Sequence, residues 1–170
     1  KVYSIKGYEI PEASRTSRGR AIVNILQLSE GEKVNAVIPM KDGTEGFIAM
    51  ATRNGLIKKT ALSEFASIRK TGKIAINLNE GDELISVQFT SGEDQILIGT
   101  AKGKCIKFYE GLNENGSYGL KPIGRDTQGV KAMDLDDDDC LIAMSVVKEG
   151  YDVLTITSSG SISTLLTNIS

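Results

Sequence analysis

The chain is 170 residues long, 40% hydrophobic and 25% charged, with 20 Lys and Arg against 22 Asp and Glu and a sequence pI near 5.3. This is the composition of a globular protein that can bury a core in one large domain or two small ones, without the overall positive charge of a typical nucleic-acid binder. Histidine and tryptophan are absent, which removes the commonest general base and metal ligand, and no apolar run approaches the ~18 residues of a membrane span.

The first predicted element, Lys1-Val2-Tyr3-Ser4-Ile5-Lys6, reads as the second strand of a hairpin without its turn. The sequence therefore starts inside a unit, with neither a methionine nor a signal peptide, and is expected to be a piece of a longer cytoplasmic protein. A complete hairpin follows at 47–59, where the apolar run 47–51 leads into Arg53-Asn54-Gly55-Leu56-Ile57-Lys58-Lys59. Asn-Gly between apolar runs is a strong hairpin signal. The pattern returns as Ala101-Lys102-Gly103-Lys104-Cys105-Ile106-Lys107 and as Ser158-Ser159-Gly160-Ser161-Ile162-Ser163, a spacing of 48 and then 57 residues between glycines.

Three further landmarks keep step with these turns. A second glycine among basic residues appears at 17–20, 70–73 and 127–131. An acidic turn follows at 28–32, 78–82 and 135–139, and then an apolar alternating strand at 34–40, 84–89 and 141–147. Inner strands are predicted at 47–50, 96–99 and 153–156, apolar on both faces, with third strands at 21–28, 74–78 and 130–135. Only 61–67 has room for a helical turn. Four landmarks in one order, repeated at a period near 50 residues, define a repeat protein. Residues 1–170 are expected to be part of a single domain, with repeats approximately at 1–46, 47–95, 96–151 and 152–170, the last one partial. About four strands per unit is the arithmetic of a propeller blade.

Cys105 and Cys140 are 35 positions apart with no histidine partner, so they make neither a zinc site nor a Cys-His nucleophile; two buried reduced thiols are the expectation, with a disulfide as the alternative. The run 136–139 lacks the alternating ligands, glycine and distal Glu of a calcium loop and reads as a solvated turn. Residues 116–119 read as a flexible tip, and Tyr3, Tyr8 and Tyr109 as packing residues. Basic residues fall in the first hairpin and in the long connection to the second glycine, whereas acidic residues fall in the turn before the fourth strand. In a radial repeat this would place a basic band on one part of the disc and an acidic band on another. A basic band suits contact with phosphate backbones, unspecific in sequence and dependent on salt.

Residues 7–24, Gly7-Tyr8-Glu9-Ile10-Pro11-Glu12-Ala13-Ser14-Arg15-Thr16-Ser17-Arg18-Gly19-Arg20-Ala21-Ile22-Val23-Asn24, closely resemble the C-terminal domain of the DNA gyrase A subunit. The Leu-x-Glu/Asp-Gly-Glu/Asp turns and the Thr-x-x-Gly-x-x-Lys hairpin at 52–58 resemble that family's blade repeats. The resemblance implies an all-β, propeller-like β-pinwheel of four-stranded blades, here about three to four of six, with strands exchanged between neighbouring blades. It also implies double-stranded DNA wrapped around a basic perimeter, in support of ATP-dependent negative supercoiling. The implied partners are the gyrase B subunit, together with the rest of the gyrase A subunit, in an A2B2 assembly associated with the nucleoid. Catalysis, ATP and Mg2+ belong to other parts of that enzyme. The fragment, expected to be monomeric, carries no catalytic residue, metal or cofactor of its own. Expected phosphate contacts are Arg15, Arg18, Arg20, Lys58, Lys59, Arg69, Lys70, Lys73, Lys104, Lys107, Arg125 and Lys131. The signature box Gln-Arg-Arg-Gly-Gly-Lys-Gly is not in this sequence. The matching domain of topoisomerase IV is the nearest alternative, and a protein-interaction module using the acidic turns is an alternative of another class.

Overall fold

The computed structural model describes residues 1–160 and the backbone of 162–165. Its described strands are β1 (Phe47–Thr52), β2 (Leu56–Ala61), β3 (Leu84–Thr90), β4 (Gln95–Thr100), β5 (Cys105–Tyr109), β6 (Val130–Lys131), β7 (Leu141–Val147), β8 (Val153–Ile156) and β9 (Ile162–Leu165). Three antiparallel sheets result, in the orders β3-β1-β2-β6, β5-β4-β7 and β8-β9. The helical elements among the described residues are single 3-10 turns, one of them at Leu62–Phe65, inside the stretch 61–67 that has room for it.

The recurring hairpin is built by Thr as much as by Gly. Gly55 N–H donates to Thr52 O at 3.2 Å, Gly103 to Thr100 O at 3.1 Å and Gly160 to Thr157 O at 2.9 Å. Each glycine is thus the fourth residue of its turn, at φ of +90°, +83° and +81°, as in a type I turn closed by a left-handed glycine and not in a two-residue Asn-Gly loop. In the first two turns the threonine hydroxyl also accepts a backbone N–H, from Leu56 and from Lys104, at 3.2 Å each. Apolar strands on either side of this punctuation then pair in register, Ala51 with Ile57 and Gly99 with Cys105.

Strand β1 buries both faces, as its unbroken apolar run predicts. Ala49 and Ala51 join Ile57, Ile96, Ile98, Leu120, Leu141 and Met144 in a core between the first two sheets. Ile48 and Met50 face the other way, onto Phe65 and Ala75, with Val2 and Leu62 packed around them. Small alanines on one face let the second sheet approach closely, which is how stacked blades share a core.

The sheets do not respect the boundaries of the units. β6, from the third unit, completes the sheet of the second by pairing Val130 with Ile57 and Lys131 with Leu56. The same exchange occurs one unit earlier, where Val2 pairs with Lys73 through reciprocal N–H···O bonds of 2.8 and 2.9 Å. By its pairing, Val2 occupies the place of Ile57, since Lys73 follows Gly72 as Val130 follows Gly129. Gly72 and Gly129 therefore each deliver their unit's third strand to the preceding blade.

That exchange explains several departures from the expected strands. Residues 34–40 form no strand, because β3 and β7 pair with the inner strand of their own unit and the first unit supplies none within this sequence. Residues 21–28 contain a 3-10 turn at Ile22–Asn24 instead of a strand, since the hairpin they would complete is not in this sequence. Residues 153–156 pair with β9 but leave Leu154 and Ile156 exposed, with no second sheet packed on them among the described residues. Cys105, expected in the core beside its counterpart Ile57, is exposed; no β6 equivalent covers the β5 edge among the described residues, and both cysteines are free thiols. Tyr8 is exposed rather than packed. The 116–119 tip is a closed loop, with Leu112 bridged to Tyr118 and Asn113 N–H bonded to Ser117 O at 2.7 Å.

Candidate nucleic-acid interface

The acidic turns and the hairpin turns meet, which overturns the expectation of separate bands. Asp82 Oδ1 accepts the backbone N–H of Asn54 at 2.9 Å, and Asp139 Oδ1 accepts that of Lys102 at 3.0 Å. Asn54 and Lys102 each precede the turn glycine, so one carboxylate per unit caps the same turn position. Side chains extend the contact: Arg53 pairs with Glu83 at 3.0 Å, Lys104 with Asp136 at 2.7 Å, Lys102 with Asp138 and Lys131 with Asp134. Lys104 is held above its ordinary value by Asp136, and Asp134 below its own by Lys131. These pairs are solvent-exposed and add little stability, but they neutralise the charges that a hairpin-borne DNA track would need. Lys104 and Lys131 are committed to carboxylates of their own unit.

In the first unit the same junction is made by Tyr3, whose hydroxyl donates to Glu32 Oε2 at 2.7 Å beside Lys1. That bond pushes the Tyr3 phenol up to about 12 and, with the Ser29 N–H, pulls Glu32 down to about 2. The carboxylate's contribution to stability is complete above its ordinary value of 4.5 and is lost as pH falls toward 2, while the phenol's is lost as pH rises through 12. An absorbance titration of the five tyrosines is expected to show one phenol ionising near pH 12, and Tyr3→Phe should remove that step. A wild-type curve without it would refute the contact.

Lys58 and Lys59, both expected on phosphates, are 0% and 1% exposed. They are neighbours on a strand and so point to opposite faces, but both faces of β2 are covered. Lys58 Nζ donates into a cage of four main-chain carbonyls: Ala75 at 3.0 Å, Gly124 at 2.8 Å, Arg125 at 3.0 Å and Thr127 at 3.2 Å. Removal from water pushes this ammonium down to about 8, against the pull of Asp126. Lys59 Nζ pairs with the fully buried Glu110 at 3.0 Å and lies 4.9 Å from the centre of the Phe47 ring. Neither lysine can reach a phosphate. Glu110 gave no signal in the sequence; a single acid after an apolar strand looks like any surface residue.

Of the remaining cations, Arg15, Arg18, Arg20, Arg69 and Lys70 are exposed and enter none of these ion pairs. Lys107 is half-buried in β5 opposite Leu97. Arg69 and Lys73 from the second unit and Arg125 from the third are brought together around one cleft of about 480 Å³, lined also by Ser67, Gly72 and Ile74. Lys73 Nζ is steadied by the carbonyls of Glu64 and Ala66, at 3.0 and 2.7 Å. Arg125 reaches across to Ile74 O at 3.5 Å. No carboxylate lines the cleft. The long connections therefore carry exposed positive charge outside these ion pairs, whereas the exposed hairpin cations Arg53, Lys102 and Lys104 are paired with acidic-turn carboxylates.

No described helix is long and apolar enough to cross a membrane. Residues 1–39, 46–91 and 116–148 match the family described as DNA gyrase C-terminal domain, beta-propeller. The chain is 41% identical over 161 residues to the DNA gyrase A subunit of Escherichia coli (strain K12), and 42% identical over 164 residues to that of Staphylococcus epidermidis (strain ATCC 12228 / FDA PCI 1200). Each alignment covers 94% of this chain but 18% of the relative, so the chain spans about a fifth of their length. Among solved structures, the C-terminal domain of DNA topoisomerase IV matches with a TM-score of 0.79 at 25% identity, covering 92% of this chain and 47% of that one. The DNA gyrase A C-terminal domain gives 0.70 at 24% identity, over 91% and 47%, a likeness of fold. The exchanged strands, the repeated Thr-Gly turns and these matches agree: the chain belongs to the DNA gyrase C-terminal domain, beta-propeller family.

Proposed function

We propose that this chain is a DNA-binding part of a gyrase A subunit, contacting duplex phosphates through the outer connections between its strands, without reading sequence. The observation that carries this reading is the convergence of Arg69, Lys73 and Arg125, from two different units, on one carboxylate-free cleft, in a chain whose net charge is −2. Arg15, Arg18, Arg20 and Lys70 extend the same kind of surface along equivalent connections. Contacts of this type depend on salt and not on base identity. In the whole enzyme, such a surface would hold DNA for wrapping in support of ATP-dependent negative supercoiling, with catalysis, ATP and Mg2+ in other parts of an A2B2 assembly acting on nucleoid DNA. The 170 residues themselves serve as a binding module.

Two measurements test it. Duplex DNA of unrelated sequences is expected to bind with equal affinity, and log K should fall with log salt by ~0.9 per neutralised phosphate. Arg15→Glu, Arg18→Glu and Arg20→Glu together should weaken binding by about tenfold or more at low salt, equally for all sequences; unchanged affinity would remove the first connection from the DNA path. Ligation of nicked circles with bound protein is expected to shift the linking number in one direction. The structural match to the topoisomerase IV domain favours a second reading, DNA binding with weaker wrapping, for which that shift would be small.

A further inference from the structure

The rim cations sit on segments with little regular secondary structure, so something other than a sheet ladder must set their spacing. The connection carrying Arg69 and Lys73 belongs to the second unit, and the one carrying Arg125 to the third. They meet at three places. Asn77 N–H donates to Thr127 O at 3.1 Å, and its side-chain amide donates to Asp126 O at 2.6 Å. Arg125 reaches Ile74 O. Beneath both lies Lys58, whose buried ammonium joins Ala75 O of one connection to the carbonyls of Gly124, Arg125 and Thr127 of the other.

An ammonium has three N–H donors, so four carbonyls within 3.2 Å share it, and each is oriented toward it. Buried carbonyls without a donor are costly. Ala75 O is buried and the other three are part-buried. Gly124 O also accepts the Thr127 hydroxyl, and Thr127 O the Asn77 N–H. Removing the amine therefore leaves Ala75 O and Arg125 O without this donor, and loosens two connections that the Asn77 and Arg125 bonds alone then hold. The Lys58 stem comes from β2, the strand that also receives the exchanged β6. The lysine is therefore anchored in the blade while its head fixes the rim.

We infer that Lys58 is a positioning residue for DNA binding: buried and out of reach of phosphate, it holds Arg69, Lys73 and Arg125 of consecutive repeats around one phosphate cleft. The contact unit is then the junction between blades, not the single repeat. Tyr3 occupies the place of Lys58 in the first unit and Ile106 in the third, so this carbonyl cage is specific to one junction. The inference rests on the DNA-binding reading above.

The test is a set of duplex-binding isotherms over a range of salt, measured on the full chain carrying Lys58→Met, Lys58→Arg, Arg125→Ala or the Lys58→Met/Arg125→Ala pair. Met144→Ala, a buried change in the core between the sheets, serves as the control for lost stability. Lys58→Met is expected to weaken binding about tenfold and to flatten the salt slope by ~2, more than the ~0.9 that one lost phosphate contact allows. Lys58→Arg keeps the charge but cannot seat one nitrogen among four carbonyls, and should weaken binding as well. In the Arg125→Ala background, Lys58→Met should cost less than it does alone, because both act on one cluster. Met144→Ala should bind as wild type at temperatures where it is folded. Wild-type affinity and slope in both Lys58 variants, or strict additivity with Arg125→Ala, would overturn the inference. Absence of salt-sensitive binding by wild type would instead overturn the DNA-binding reading beneath it.

Discussion

Lys59→Met is expected to lower the free energy of unfolding by about 3–5 kcal/mol, because it strands a buried carboxylate. Glu110 follows β5 in the second sheet, is fully buried, and accepts bonds from four directions. Oε1 takes the N–H groups of Gly92 and Asp94 at 3.1 Å each; Oε2 takes the Thr90 hydroxyl at 3.0 Å and the Lys59 ammonium at 3.0 Å. Three of the donors are neutral. Only Lys59, in β2 of the first sheet, balances the charge, and its Nζ also donates to Glu110 O at 3.1 Å. The pair thus joins two sheets across their interface. Lys59→Met/Glu110→Gln keeps an oxygen for the two N–H groups and removes both charges, so it should recover a large part of the loss. Urea unfolding of the four proteins in this cycle is the measurement. A single-variant cost below about 1 kcal/mol would mean that the pair is solvated.

Gly129→Ala is expected to cost about 2–4 kcal/mol through backbone strain and overpacking together, and to act on the strand exchange itself. Gly129 has φ of +115°, and a β-carbon there would stand 2.8 Å from Ile57 O and 3.2 Å from Ile57 C. Those are main-chain atoms of β2, held on one side by β1 and on the other by the exchanged Val130. They cannot retreat without opening one ladder. Gly72, the same landmark one unit earlier, is a useful contrast. Its φ is +78°, and its nearest neighbour would be the Tyr3 ring at 2.8 Å, a side chain that can turn aside. Gly72→Ala should therefore cost nearer the ~1 kcal/mol of placing alanine in the left-handed region. Hydrogen exchange should show Val130 losing protection in Gly129→Ala. Equal costs for the two variants would contradict the close approach at Ile57.

The repeat was legible because its signals are local. Thr52-x-x-Gly55, Thr100-x-x-Gly103 and Thr157-x-x-Gly160 each close a turn whose bonds lie within five residues, and the apolar runs beside them have little choice but to pair. What was not legible depends on partners far along the chain. Lys58 and Lys59 read as surface cations because lysine is rarely buried, and their partners lie 17 to 69 and 51 residues away. The strand exchange left a trace in the sequence, namely that Gly72 and Gly129 recur at the start of the third strand, but composition alone cannot say which hairpin that strand joins. The charge pattern misled for a related reason: acidic and basic segments separated along the chain are brought face to face by the fold, as Lys104 and Asp136 show.

The proposed DNA binding rests on exposed positive charge of the connections outside the hairpin ion pairs, and not on the carboxylate-paired cations of the hairpins. Two neutralised proteins decide it most directly: one with Arg18→Gln, Arg69→Gln and Arg125→Gln on the outer connections, the other with Arg53→Gln, Lys102→Gln and Lys104→Gln on the hairpins. Each removes three positive charges, and each is titrated with the same duplex at the same low salt. The connection variant is expected to lose affinity by about tenfold or more and to show a salt slope flatter by ~2 to 3, with the hairpin variant binding as wild type. Loss of binding in the hairpin variant, with the connection variant unchanged, would place DNA on the turns and contradict the role given to the connections.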